Sequence, residues 1–130
     1  FSYKQQIIDV IAHYNFQVKD FGTHNLDSVD YPDFAHPVAA CVENNEAAFG
    51  ILLCGSANGV AITANKHKNI RAGLCWNKEV AKLTRQHNNA NIICLAARFV
   101  TKKVAIQCIL SFLTTKFEAG RHLRRVKLLS

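Results

Sequence analysis

Three patterns are missing from this chain: a membrane segment, a disulfide frame and a nucleotide loop. No apolar run approaches the roughly 18 residues of a membrane span, and residues 1–14 carry charge and polarity throughout, unlike a secretory signal. None of the five cysteines (41, 54, 75, 94, 108) forms a CxxC pair; their number is odd and most lie in apolar segments. Reduced thiols in a cytoplasmic protein are therefore expected rather than disulfides. The glycines follow neither GxGxxG nor the Lys-Ser/Thr ending of a P-loop, which argues against a nucleotide. His13, His24, His36 and His67 show no metal-ligand spacing with one another or with the cysteines, so neither a metal nor another cofactor is expected. Linkers, repeats and low-complexity segments are absent too, and the 130 residues read as one domain with one core. Acidic residues are scarce, nine against sixteen Lys and Arg, for a net charge of +7. The basic residues are spread thinly except at Arg121, His122, Arg124, Arg125 and Lys127. One such cluster suits a phosphate pocket better than a long polyanion track, so neither nucleic acid nor a membrane is expected as a partner.

What is present is an alternation of apolar strands and helical stripes. Hydrophobic residues make up 49% and charged residues 19%, a globular composition. Residues 16–21, 48–54, 70–76 and 90–100 read as strands, the last three nearly continuous in apolar residues as buried parallel strands are. Residues 1–14 place Tyr3, Ile7, Ile8, Ile11 and Tyr14 at helical spacing. Residues 33–44 form a second helical pattern with Asp33 in its first turn. Residues 77–87 form another, opened by Asn77 as a cap, and residues 101–117 a longer one capped by Thr101 and ended by Gly120. This rhythm predicts an α/β fold with a parallel sheet and right-handed crossovers.

Four segments carry chemistry. In residues 50–65, GILLCGSANGVAITAN, an apolar strand ends in Cys54, a loop with Gly55, Ser56, Ala57, Asn58 and Gly59 follows, and a helical pattern comes next. Such a strand-to-helix turn is where open α/β sheets bind ligands and where amides point at anions. Glycines let the backbone approach a ligand closely, and the amides can hold an oxyanion; the plainer reading is a β–α turn beside a buried cysteine. His87 closes a helix among Asn88, Asn89 and Asn91, a density of polar groups unusual for a connection, although a histidine at a helix C-terminus is also favoured by the dipole. Arg121 and Arg125, four apart, share a helical face and suit a phosphate monoester, and Arg98 follows a very apolar strand where it needs an anion partner. Tyr31 sits before Pro32 in an acidic turn (residues 28–33), able to cover a sugar ring or to pack on a neighbouring helix. Cys41, Cys75, Cys94 and Cys108 read as inert core thiols, and Trp76, at a strand end, reads as packing.

Together the segments DFGT (20–23), VDYPDFA (29–35), GILLCGSANGVAITANK (50–66), IRAGLCW (70–76), AKLTRQHNNANIICLAARFV (81–100) and FEAGRHLRRV (117–126) resemble the type B ribose-5-phosphate isomerases, a family that includes the galactose-6-phosphate isomerase subunits. The resemblance implies a three-layer α/β/α sandwich with a five-stranded parallel sheet. It implies a dimer, or a dimer of dimers, whose active sites are shared between subunits. The reaction it implies is the metal-free interconversion of ribose 5-phosphate and ribulose 5-phosphate in the pentose phosphate pathway. Carried over, Cys54 would move the proton between carbons 1 and 2, beside amides that favour a thiolate. The amides of residues 55–59 would hold the enediolate with help from the Ser56 hydroxyl. His87 would protonate the ring oxygen and open the furanose. Asn88 would bind sugar hydroxyls, Tyr31 would line the pocket, and Arg98, Arg121 and Arg125 would hold the phosphate, some arms reaching across the dimer.

Members that lack the cysteine place a glutamate just after the second glycine; here that position is Val60, so the chain resembles the cysteine class, with Ser56 where many members have threonine. The family opens on a strand ending in an Asp-His pair, and Phe1 follows where that motif would end. The resemblance thus implies that the first strand is absent and that the sequence is truncated or incompletely recorded at its start. Two other readings stay open: an isomerase of galactose 6-phosphate or allose 6-phosphate, and a non-catalytic flavodoxin-like binding domain. The catalytic subunit of the lactose pathway lacks the CGS loop, which lowers the first of these.

Overall fold

The computed structural model describes residues 2–22 and 31–129. Six helices and three strands alternate among them: α1 (Ser2–His13), α2 (Pro32–Glu43), β1 (Gly50–Cys54), α3 (Asn58–Asn65), β2 (Ala72–Cys75), α4 (Lys78–Asn88), β3 (Ile92–Ala96), α5 (Lys102–Thr114) and α6 (His122–Lys127). The strands form a parallel sheet in the order β1-β3-β2, with Gly50 and Ala72 both opposite Ile92 at one end and Cys54 opposite Ala96 at the other. β3 is central, and all five of its residues are buried. Period-two alternation sends Ile93 and Leu95 into a core with α1, α4 and α5, and Ile92, Cys94 and Ala96 into a second core with α2 and α3. Helices on both faces of a parallel sheet make the expected three-layer sandwich.

The helix starts follow local chemistry. The Asn77 side chain accepts from the Val80 amide at 2.8 Å, and Thr101 Oγ1 accepts from Val104 at 3.2 Å, each satisfying an orphan donor of a first turn. Asp33 lies in the first turn of α2 behind Pro32. Asn65 clamps the outer edge of β2, accepting from Ala72 N and donating to Ala72 O at 2.8 and 3.0 Å.

Four sequence expectations are corrected. Residues 16–21 are not a strand: they line, opposite β1, a cavity of about 890 Å³ shared with α1 and α2, and extended backbone becomes a strand only with a ladder partner. The sheet therefore has three strands among the described residues. β3 ends at Ala96 rather than Val100, because the chain turns at residues 97–99 and leaves Phe99 78% exposed. α5 ends at Thr114, not near Gly120: the Thr114 and Thr115 hydroxyls donate back to Leu110 O and Ser111 O at 2.7 and 2.6 Å, and Thr115 is extended. Trp76 is not packed but 59% exposed. Of the acidic turn, Ser28, Val29 and Asp30 lie outside the described residues, as do Thr23 and His24.

Candidate active site

β1 delivers Cys54 to the carboxyl end of the sheet, half-buried, where the chain turns into α3. Ala57 makes the turn in the left-handed region, φ +64°, with its methyl fully buried. That conformation strains an alanine by about 1–2 kcal/mol, and it places the loop amides ahead of the α3 N-terminus. The two glycines are sites of close approach. A Cβ at Gly55 would stand 3.1 Å from Arg98 Nε, and one at Gly59 would stand 2.5 Å from Tyr31 Cζ. So the guanidinium of Arg98 lies against one end of the loop and the Tyr31 ring against the other. Backbone bonds from Ala97 N to Cys54 O (2.8 Å) and Arg98 N to Gly55 O (3.2 Å) fasten the end of β3 to the loop. Ser56 and Asn58 are exposed beside it. Arg98 is itself exposed, with no carboxylate partner among the described residues. Thus Cys54, Gly55, Ser56, Ala57, Asn58, Gly59, Tyr31 and Arg98 come together as one cluster: a thiol, a glycine-bearing loop, a cation and an aromatic wall.

A second cluster forms at the end of α4. His87 is half-buried and Asn88 exposed on the last turn. The His122 ring, 7% exposed, stacks on that of His87 with centroids 4.2 Å apart and planes 15° apart. Arg121 and Arg125 flank it, both exposed. Burial, then His87, Arg121 and Arg125, hold the His122 imidazole below its ordinary pKa, against an opposing pull from Glu118. Among the described residues no hydrogen bond, ion pair or ring contact joins the two clusters. Connectivity explains this. α4 leaves the carboxyl end of β2 and returns to the amino end of β3, so His87 and Cys54 lie at opposite ends of the sheet, on the order of 15 Å apart for strands of this length.

Two of the asparagines near His87 are structural. Asn89 is the left-handed C-cap of α4, φ +48°. Asn91 accepts from Arg71 N at 2.8 Å and donates to Asn69 O at 2.9 Å, tying the amino ends of β2 and β3. Arg85, also unsignalled in the sequence, is buried with no carboxylate: it donates to Thr115 O (3.1 Å), Asn89 Oδ1 (2.9 Å) and Ala90 O (2.7 Å), under the Phe49 and Phe112 rings. On the α2–α3 side, His36 Nδ1 meets His67 Nε2 at 2.7 Å, and His67 Nδ1 meets Glu43 at 3.4 Å. Neither pairing has a spacing signature. Among the described residues no group of three His, Cys, Asp or Glu side chains could hold a metal ion. Cys75, Cys94 and Cys108 are buried core thiols; burial pushes the first two up to about 12 and the third to about 11.

A parallel α/β sandwich with a strand-end thiol beside a glycine loop, and with exposed arginines in each of its two clusters, is compatible with an isomerase of phosphorylated sugars. The chain belongs to the ribose/galactose isomerase family, whose profile matches residues 1–129. It is similar to a probable ribose-5-phosphate isomerase B of Mycoplasma pneumoniae, 41% identical over 124 residues that cover 95% of this chain and 82% of the relative. The crystal structure of a ribose 5-phosphate isomerase from Thermotoga maritima superposes with a TM-score of 0.95 at 42% identity, covering 99% of this chain and 89% of that one. That of ribose-5-phosphate isomerase B from Mycoplasma genitalium with bound ribulose-5-phosphate gives 0.94 at 41% identity, covering 99% and 86%.

Proposed function

We propose that this chain interconverts ribose 5-phosphate and ribulose 5-phosphate through an enediolate. The observation that carries the reading is the half-buried Cys54 at the strand end, followed at once by an amide loop whose two glycines lie against Arg98 and Tyr31. His87 opens the furanose by giving a proton to the ring oxygen as the C1–O4 bond breaks and C1 becomes an aldehyde. The Cys54 thiolate then takes the proton from C2. Charge collects on the sugar oxygens, where the amides of residues 55–59, aided by the Ser56 hydroxyl, hold it. A proton passes from O2 to O1 within the enediolate, and the same thiol returns its proton to C1, leaving the ketone at C2 and a hydroxyl on C1. Asn88 binds sugar hydroxyls, Tyr31 walls the pocket, and Arg98, Arg121 and Arg125 hold the phosphate, for which guanidinium forks are suited.

Because Cys54 and His87 lie at opposite ends of the sheet, the reading includes a homodimer in which one subunit supplies the thiol loop and its partner the α4–α6 cluster. It also places the enzyme in the cytoplasm, a reducing compartment consistent with five free cysteines; no helix among the described residues is long and apolar enough to cross a membrane.

The test is isomerisation of ribose 5-phosphate by the wild type and by Cys54→Ala. Loss of a general base is expected to lower kcat by 10² or more, roughly the contribution of acid–base catalysis, with the fold unchanged by circular dichroism. Unaltered turnover would remove Cys54 from its role. Comparing kcat/KM on five- and six-carbon sugar phosphates fixes the substrate.

A further inference from the structure

We propose that His122 is the positioning residue for His87, its ring serving as the platform that orients the His87 imidazole for furanose opening. The inference rests on the isomerase reading above and adds a residue to it. The rings are stacked nearly parallel at 4.2 Å, and His122 is buried although it begins a helix whose neighbouring residues 121 and 123–125 are exposed. Burying a polar ring costs free energy unless it is hydrogen-bonded, and here the ring's face is spent against His87. The surrounding chain is braced to keep the pair in register. Glu118 N donates to Gln86 O at 3.0 Å, one residue before His87, and Arg85 Nε donates to Thr115 O at 3.1 Å. Both bonds lock the α5–α6 connection onto the last turn of α4.

The electrostatics agree with that geometry. His122 faces His87 from α4, Arg121 and Arg125 from its own segment, and Glu118 from the connection; burial and the three positive neighbours outweigh Glu118 and favour the neutral imidazole. Two stacked imidazolium rings would repel, and the lowered pKa of His122 accords with its place against the His87 ring. In furanose opening the C1–O4 bond breaks, O4 gains the proton from His87, and the C1 hydroxyl loses its own to water, giving the aldehyde. A ring rotated off its platform misplaces the donor, and misplacement by an ångström costs about 10²-fold in rate.

The two halves of the reaction can be separated. Ribulose 5-phosphate cannot close a five-membered ring, because its C5 oxygen carries the phosphate. Exchange of its C1 hydrogen in deuterium oxide therefore reports proton transfer without ring opening. We expect His122→Ala to slow isomerisation of ribose 5-phosphate by about tenfold to a hundredfold while C1 exchange of ribulose 5-phosphate stays within about twofold. His122→Phe, which keeps an aromatic face, should restore most of the loss. Isomerisation untouched in His122→Ala would overturn the proposal. So would a parallel fall of isomerisation and exchange, which marks a merely structural residue, or a failure of phenylalanine to rescue. A wild-type chain that neither isomerises nor exchanges overturns the isomerase reading itself.

Discussion

Cys54 differs from the other cysteines in its exposure: like Cys75 it closes an edge strand, but the other four are buried and it is not. Cys75 and Cys94 are sealed in the two cores, with thiols at about 12, and Cys108 at about 11, because burial penalises the thiolate; Cys54 is half-buried at the sheet's edge. At pH 8 those three remain thiols, and Cys41 is buried. Iodoacetamide should therefore modify the native protein once, at Cys54, as read by peptide mass spectrometry, and ribose 5-phosphate should protect it. Labelling of Cys75 or Cys94 at a similar rate would contradict this. Arg85 is the other residue whose surroundings decide its role. Burial and the nearby Arg71 lower its pKa, yet three acceptors and two aromatic rings hold it. Arg85→Met would keep the stem and orphan the buried Ala90 carbonyl and the half-buried Thr115 carbonyl, at about 1–3 kcal/mol for each, measured by urea unfolding. The sequence signalled Cys54 through its strand and loop, but not Arg85, because its partners are backbone carbonyls that no side-chain pattern announces.

At the scale of elements, features set by near neighbours are legible in the sequence, and those set by a distant partner are not. Asn77 and Thr101 announce helix starts because a cap acts within three residues. Asn77→Ala should cost about 1 kcal/mol, lowering the thermal midpoint by roughly 3–5 °C, and Thr101→Ala about the same. Residues 90–100 announce a buried parallel strand because burial on both faces demands near-continuous apolarity, although only Ile92–Ala96 form it. Residues 16–21 misled because alternation reports extended backbone and a buried side, but not whether a neighbouring strand completes the ladder. The end of α5 misled because Gly120 is a common terminator, whereas the helix stops where two threonines turn their hydroxyls onto the preceding turn. The asparagines beside His87 misled most: their density reads as ligand chemistry, but Asn89 and Asn91 spend their polar groups on the C-cap and on the amino ends of two strands.

The whole molecule sets a constraint that neither residue nor element reveals. In a parallel sheet every crossover helix returns to the amino end, so a group late on α4 cannot meet a group late on β1 of the same protomer. Sequence places Cys54 and His87 only 33 positions apart, yet topology holds them at opposite ends of the sheet, and the proposed function joins them through a second copy. This yields a test that needs no further structure. Cys54→Ala and His87→Ala homodimers should each be nearly inactive, since every site lacks one group. In a mixed dimer, one site joins both altered residues and is dead. The other joins the intact Cys54 of one subunit to the intact His87 of its partner and is whole. Unfolding and refolding an equimolar mixture gives half mixed dimers by random pairing, each with one working site in two. Activity should therefore recover to about a quarter of the wild-type value, rising with refolding and absent when the two variants are mixed without subunit exchange. If each site were built within one subunit, every site would carry one of the two lesions, and refolding would recover nothing.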